Sequence, residues 1–125
     1  MRTKLGNTLV LAVLRSPLHR LLSGVAVELR YAGRRSGREY VLPVQYARAG
    51  DRLVIRPQDP QASSWWRNFS APRTVTVRLA GREHEATATT VERDDPAWAD
   101  LRAVYAARWR RLAGPLTGPF VVIEL

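Results

Sequence analysis

Residues 73–93 read "RTVTVRLAGREHEATATTVER", an alternation of apolar and polar side chains that runs almost unbroken and turns once, at Ala80–Gly81. Successive side chains of an extended chain face opposite ways, so a period of two held over this length dictates a long antiparallel hairpin. The same period begins at Val25. Val25, Val27, Leu29 and Tyr31 point one way and Ala26, Glu28 and Arg30 the other, which describes a half-buried strand. The turn "AGRRSG" leads into a second strand, Tyr40 to Ala47. "AGD" at 49–51 turns the chain into a third, "RLVIR", and "PFVVIEL" at 119–125 supplies the last. Six strands in this order predict a mainly β fold, a small antiparallel barrel, as a single domain over 1–125.

Three helical segments interrupt the alternation. In "MRTKLGNTLVLAVLRSPLHRLLSG" the apolar residues Leu9, Val10, Val13, Leu14, Leu18, Leu21 and Leu22 are interleaved with Arg15, His19 and Arg20. This reads as one amphipathic helix, broken or kinked near Pro17, and not as a signal peptide, since no small-x-small cleavage site follows cleanly. Its apolar run is too short to span a membrane. Docking on the barrel is the first reading of this helix; peripheral contact with an anionic membrane surface is the second. A short helix is expected near 63–70, through "WWRNF", with Ser63 or Ser64 as its cap. Another is expected near 95–113, with an acidic start, Pro96 in its first turn and a basic end. Its apolar spacing runs through Trp98, Leu101, Val104, Tyr105 and Leu112.

Cysteine is absent, which excludes disulfides, thiolate metal sites and a cysteine nucleophile, and fits a cytoplasmic protein. There is no phosphate loop, dinucleotide fingerprint, GxSxG elbow or HExxH, and the only histidines are His19 and His84. No metal site is expected. A barrel without nucleophile, metal or thiol, if it is an enzyme, draws its reactivity from a bound cofactor.

Against 11 acidic residues the chain has 20 basic ones, all arginine except Lys4, for a formal charge of +9. Such a surface attracts phosphates and polyacids, which arginine binds in a bidentate fork. The charge is densest in "GRRSGR". Gly33 and Gly37 permit positive φ, so that backbone N–H groups converge; Arg34, Arg35 and Arg38 add charge and Ser36 a hydroxyl. Read alone, the turn is equally an anion nest or a solvated hairpin.

"GRRSGREYVLPVQY", "GDRLVI", "WWRNFSAPRTVTVRLAGREHEATA" and "GPFVVIEL" together resemble the deazaflavin-dependent nitroreductase family, split-barrel oxidoreductases that use coenzyme F420. The likeness covers about the whole chain. Its most specific pieces are the Gly-Arg-basic-Ser-Gly turn with Pro43 six residues after the second glycine, and the Trp-x-x-Asn motif from Trp65 to Asn68. The resemblance implies a flavin-like split barrel, of the FMN-binding kind, with F420 in preference to FMN as cofactor. Arg34, Arg35, Ser36, Gly37 and Arg38 would hold its phosphate and acidic tail. Pro43 and Val44 would line the ring edge, with Asn68 and the adjacent tryptophan, Trp65 or Trp66, supporting the groove. The chain departs from the family pattern in two places. Tyr40 stands where a further basic residue is common, and "RPQDPQ" follows the third strand in place of a small Ser/Lys/Gly-rich segment. Arg56 there would compensate for the lost charge.

The reading that follows is an F420-dependent oxidoreductase passing hydride to a quinone or nitro compound, monomeric or homodimeric, with no nucleic-acid partner. Only Tyr105 suggests itself as a proton donor, against a packing role. Trp98 and Trp109 are assigned to packing. The alternative is a non-catalytic split-barrel module that binds a lipid, fatty acid or other anionic small molecule.

Overall fold

The computed structural model describes residues 4–21, 24–110 and 115–125. Its elements are α1 (Lys4–Arg15), β1 (Ala26–Ala32), β2 (Glu39–Ala49), β3 (Arg52–Ile55), β4 (Arg73–Leu79), β5 (Arg82–Val91), α2 (Trp98–Arg108) and β6 (Phe120–Glu124). Five-residue 3-10 turns occupy Pro17–Leu21 and Trp65–Phe69. The strands follow one another in the order β1-β2-β3-β6-β5-β4 and close into an antiparallel barrel, the fold class that the alternation predicts. The chain groups into two compact units, Met1–Gln45 with Thr74–Ala86, and Tyr46–Arg73 with Thr87–Leu125.

In the first unit β1 pairs with β2 through Leu29 and Leu42 and with β4 through Leu29 and Val77. Val27, Leu29, Tyr31, Val75, Val77 and Leu79 are buried, as their alternation requires. The opposite face of β1 is not a solvent face. Glu28 is only 1% exposed, because Arg15 at the end of α1 donates from Nε to its Oε1 at 2.6 Å. Arg30 reaches Oε2 at 3.1 Å and Arg78, its register partner on β4, comes within 4.0 Å. Glu83 on β5 completes the network, 2.9 Å from Arg78 and 3.5 Å from Arg30. The half-buried strand of the sequence reading is thereby corrected. Helix α1 itself buries Leu14 and leaves Leu9 66% exposed; it stops before Pro17, which has no N–H to continue the ladder. Leu22, at the end of the expected apolar stripe, lies outside the described residues. The β4–β5 hairpin turns at Ala80 (φ 52°) and Gly81 (φ 77°), both left-handed. A Cβ on Gly81 would also stand 2.8 Å from the His19 ring.

In the second unit β3 is flanked by β2, with Val54 opposite Ala47, and by β6, with Leu53 opposite Ile123. Helix α2 lays Leu101 and Tyr105 against this sheet, with Tyr105 and Trp98 tilted on Phe120 at ring distances of 5.8 Å each. Trp109 is buried and donates to the Tyr46 carbonyl at 2.9 Å, and Trp98 donates to the Gly118 carbonyl at 2.9 Å; both tryptophans pack as expected. Two details differ from the sequence reading. Pro96 stands ahead of the N-cap, Ala97, and it is Asp95 that accepts from the Ala97 N–H. Ser64 sits at the N-cap of the 3-10 turn without a side-chain bond, while the Ser63 hydroxyl turns back to the Gln58 and Asp59 carbonyls. α2 ends at Arg108, and Leu112 lies outside the described residues.

Candidate functional site

The β1–β2 turn holds its shape through its own backbone. The Gly33 N–H donates to the Arg38 carbonyl at 2.8 Å and the Gly37 N–H to the Gly33 carbonyl at 3.0 Å. The Arg38 N–H donates to Ser36 Oγ at 3.1 Å. These three N–H groups are therefore engaged inside the turn and are not the ones that would meet an outside anion. Only Gly37 has positive φ, at 70°. Gly33 is constrained in a different way: a Cβ there would meet the Tyr40 ring at 2.7 Å, and the ring would have to shift. What the turn does present is side chain. Residues 34–38 are all exposed, and Arg35 and Arg38 have no ion-pair partner among the described residues. Ser36 Oγ accepts one bond and still has its proton to donate.

Tyr40, in the place of the family's basic residue, stacks on Tyr31 at 5.6 Å. Burial, with a smaller contribution from Tyr40, pushes the Tyr31 phenol up to about 12, so it is uncharged at neutral pH. Pro43 lies opposite Glu28 of β1, and both Pro43 and Val44 are buried. Val44 is a core side chain, 6% exposed, so it supports the strand from within and does not face an open groove.

The other expected residues belong to the second unit, where the 56–61 loop, the 3-10 turn and residues 115–119 surround a cavity of about 410 Å³. Arg56 lines it, donating to the Pro115 carbonyl at 3.3 Å. Of the tandem tryptophans it is Trp66 that lines the cavity; it is buried, with Nε1 donating to the Pro60 and Ser63 carbonyls at 3.1 Å each. Trp65 sits edge-on to Phe69 instead, and Asn68 donates to the Trp65 carbonyl at 2.8 Å. Neither is a wall of the cavity. Tyr105 is 4% exposed behind Phe120 and outside these walls; burial raises its pKa, which Arg56 partly offsets. That position suits packing.

Arg67 and Asp59, not anticipated from the sequence, also line the cavity. Arg67 lies over the Trp66 indole at 4.9 Å, and Asp59 has φ 49°. The signal for this wall was the proline spacing on either side, at 57, 60, 115 and 119. Among the described residues no His/Asp/Glu group could hold a metal ion, and no helix is long and apolar enough to cross a membrane.

Comparison with known proteins bears on the fold and the family. No curated protein matches the chain. Among solved structures, one described as an F420-H2 dependent reductase (FDR-A) superposes with a TM-score of 0.62 at 18% identity, covering 79% of this chain and 93% of its own. Another, described as a domain-swapped dimer, gives a TM-score of 0.55 at 19% identity over 91% of this chain and 98% of its own. At such identities the two structures speak for the split-barrel fold. The family model for F420H(2)-dependent quinone reductases aligns with residues 14–114, from the end of α1 through α2. With five of the six barrel strands and the basic β1–β2 turn inside that aligned span, the chain belongs to the F420H(2)-dependent quinone reductase family.

Proposed function

We infer that the protein is an F420-dependent oxidoreductase acting on an electron-poor small molecule, a quinone or a nitro compound. The observation that carries this is the β1–β2 turn, five consecutive exposed residues with three arginines, two of them without ion-pair partners among the described residues. An acidic cofactor tail fits such a turn. Guanidinium forks match phosphate and carboxylate geometry, and the domain's +9 charge draws polyanions toward it.

Arg34, Arg35 and Arg38 would bind the tail, and the Ser36 hydroxyl would donate to a phosphate oxygen. Gly37, left-handed at φ 70°, closes the turn so that these side chains leave it on the outside. The buried Pro43 and Val44 stiffen the strand that runs on from the turn. When bound, reduced F420 supplies a hydride, which the acceptor takes up together with a proton. No described side chain is placed to give that proton by more than its type, and buried Tyr105 is held neutral as part of the α2 packing.

The experiment is a titration of the full chain with oxidised F420, with FMN as competitor. Wild type is expected to bind F420 in preference to FMN, and the Arg34→Ala/Arg35→Ala double variant to lose most of that affinity. Equal F420 binding by both proteins would sink the reading and leave the turn as a solvated hairpin.

A further inference from the structure

The second-unit cavity carries chemistry of its own. Pro57, Pro60, Pro115 and Pro119, half of the chain's eight prolines, line it. Proline fixes φ and adds a rigid apolar ring, so these walls are ordered before any ligand arrives, and ordering them costs binding little. The loop is drawn tight: the Asp59 carbonyl accepts from the Ala62 and Ser63 N–H groups at 3.0 Å each, and a Cβ on Gly118 would stand 3.1 Å from the Pro60 ring. Asp59 keeps a left-handed φ of 49° within it, a conformation that persists only where the surroundings impose it.

Two arginines line this space. Among the described residues Arg56 donates one hydrogen bond, to the Pro115 carbonyl, and Arg67 lies on the Trp66 indole. Neither has an ion-pair partner among the described residues, whereas Arg15, Arg30 and Arg78 of the first unit all do. With Asp59 as the one acidic side chain of the lining, the walls are net positive. An inorganic anion would satisfy the charge but not the proline and indole surfaces, and a neutral aromatic would satisfy those surfaces but not the charge. About 410 Å³ lies within the range of small-molecule pockets and suits a compound of one or two rings.

We propose that this cavity binds a planar aromatic carboxylate, its ring system between the proline rings and the indole and its carboxylate on Arg56 and Arg67. That the acid is the acceptor in a reduction rests on the functional reading above; its binding does not.

Calorimetric titration of the full chain with 2-naphthoate, and with 2-naphthamide as a neutral isostere, tests the site. The acid is expected to bind at least tenfold more tightly than the amide. Arg56→Gln should bring the acid down to the level of the amide, and Arg67→Gln, at an exposed side chain, should weaken it several-fold, each variant checked for a wild-type melting midpoint. Equal binding of acid and amide, or unchanged acid affinity in both variants, would overturn the proposal. So would displacement of bound naphthoate by oxidised F420, which would give the cavity to the cofactor. F420 titrated alone separates the two claims: naphthoate binding without F420 binding refutes the oxidoreductase reading only, and F420 binding without naphthoate binding refutes the cavity proposal only.

Discussion

Arg15, Arg30 and Arg78 converge on a carboxylate that is 1% exposed, while Arg35 and Arg38, on the turn that leaves the same strand β1, are exposed and have no counter-ion among the described residues. The residue type is one and the sequence distance short, yet the physical roles are opposite. The first group neutralises a charge that would be costly to bury alone, and fixes α1 to the sheet. The second contributes little to folding and is available to an external anion. The +9 of the chain is therefore not a uniform property of its surface. It is concentrated in function wherever carboxylates are missing.

The comparison breaks first, and hardest, at Glu28. Glu28→Gln removes the carboxylate on which three part-exposed arginines converge, two of them still paired with Glu83, and is expected to cost about 2–4 kcal/mol through the loss of its charge-assisted hydrogen bonds. Urea denaturation measures it, and a loss below about 1 kcal/mol would show the cluster to be as dispensable as a surface pair. Arg35→Ala should do the reverse. F420 affinity falls by a charge-assisted hydrogen bond, about 1.5–3 kcal/mol or roughly ten- to a hundredfold, while stability moves by less than about 0.5 kcal/mol. A stability loss rivalling that of Glu28→Gln would erase the distinction.

Tyr31, under the turn, sharpens it in pH. Its folded pKa of about 12 exceeds the ordinary 10.0, so the folded state keeps a proton that the unfolded chain releases. The stabilising contribution is complete below pH 10 and is lost as pH rises through 12, with a slope of at most about 1.4 kcal/mol per pH unit. Tyr46 and Tyr105, also raised by burial, act in the same direction. Denaturation midpoints between pH 9 and 11 should fall for wild type and fall less for Tyr31→Phe; identical slopes would mean the phenol is not shielded. The smallest effect belongs to Gly37→Ala. Open space surrounds the new methyl, so only the left-handed φ resists it, at about 1 kcal/mol. A cost above about 3 kcal/mol would show that packing, not backbone conformation, governs the turn.

The barrel was legible because its strands obey a period of two and their turns carry Gly. The family was legible in the motifs of the turn and of Trp65–Asn68. Burial of Glu28 was not, since Arg15 covers it from thirteen residues upstream and a strand pattern reports only its own faces. The constraint on Gly33 was likewise hidden, as it lies in a ring seven residues on and not in backbone angle. The motif did not say which of the adjacent tryptophans would support a groove; it is Trp66 that is both buried and at the cavity, because its indole N–H is fixed to two carbonyls of the loop before it. Arg67 gave no signal of its own; the paired prolines that frame its cavity become meaningful only when residues 57–60 and 115–119 are known to be neighbours.

The two left-handed residues at Ala80–Gly81 bear on the order in which this chain acquires structure. They close β4 on β5 across two residues, a loop that forms in microseconds, whereas Leu29 finds Val77, and Leu53 finds Ile123, only after long intervening stretches have been gathered in. We expect the hairpins to form early, in the nucleus, and the two distant seams to close after the rate-limiting step. In stopped-flow refolding, Ala80→Gly should then alter the folding rate in proportion to its effect on stability, while Val77→Ala should appear chiefly as faster unfolding. The opposite partition would mean that the nucleus forms at a seam and the hairpins condense around it.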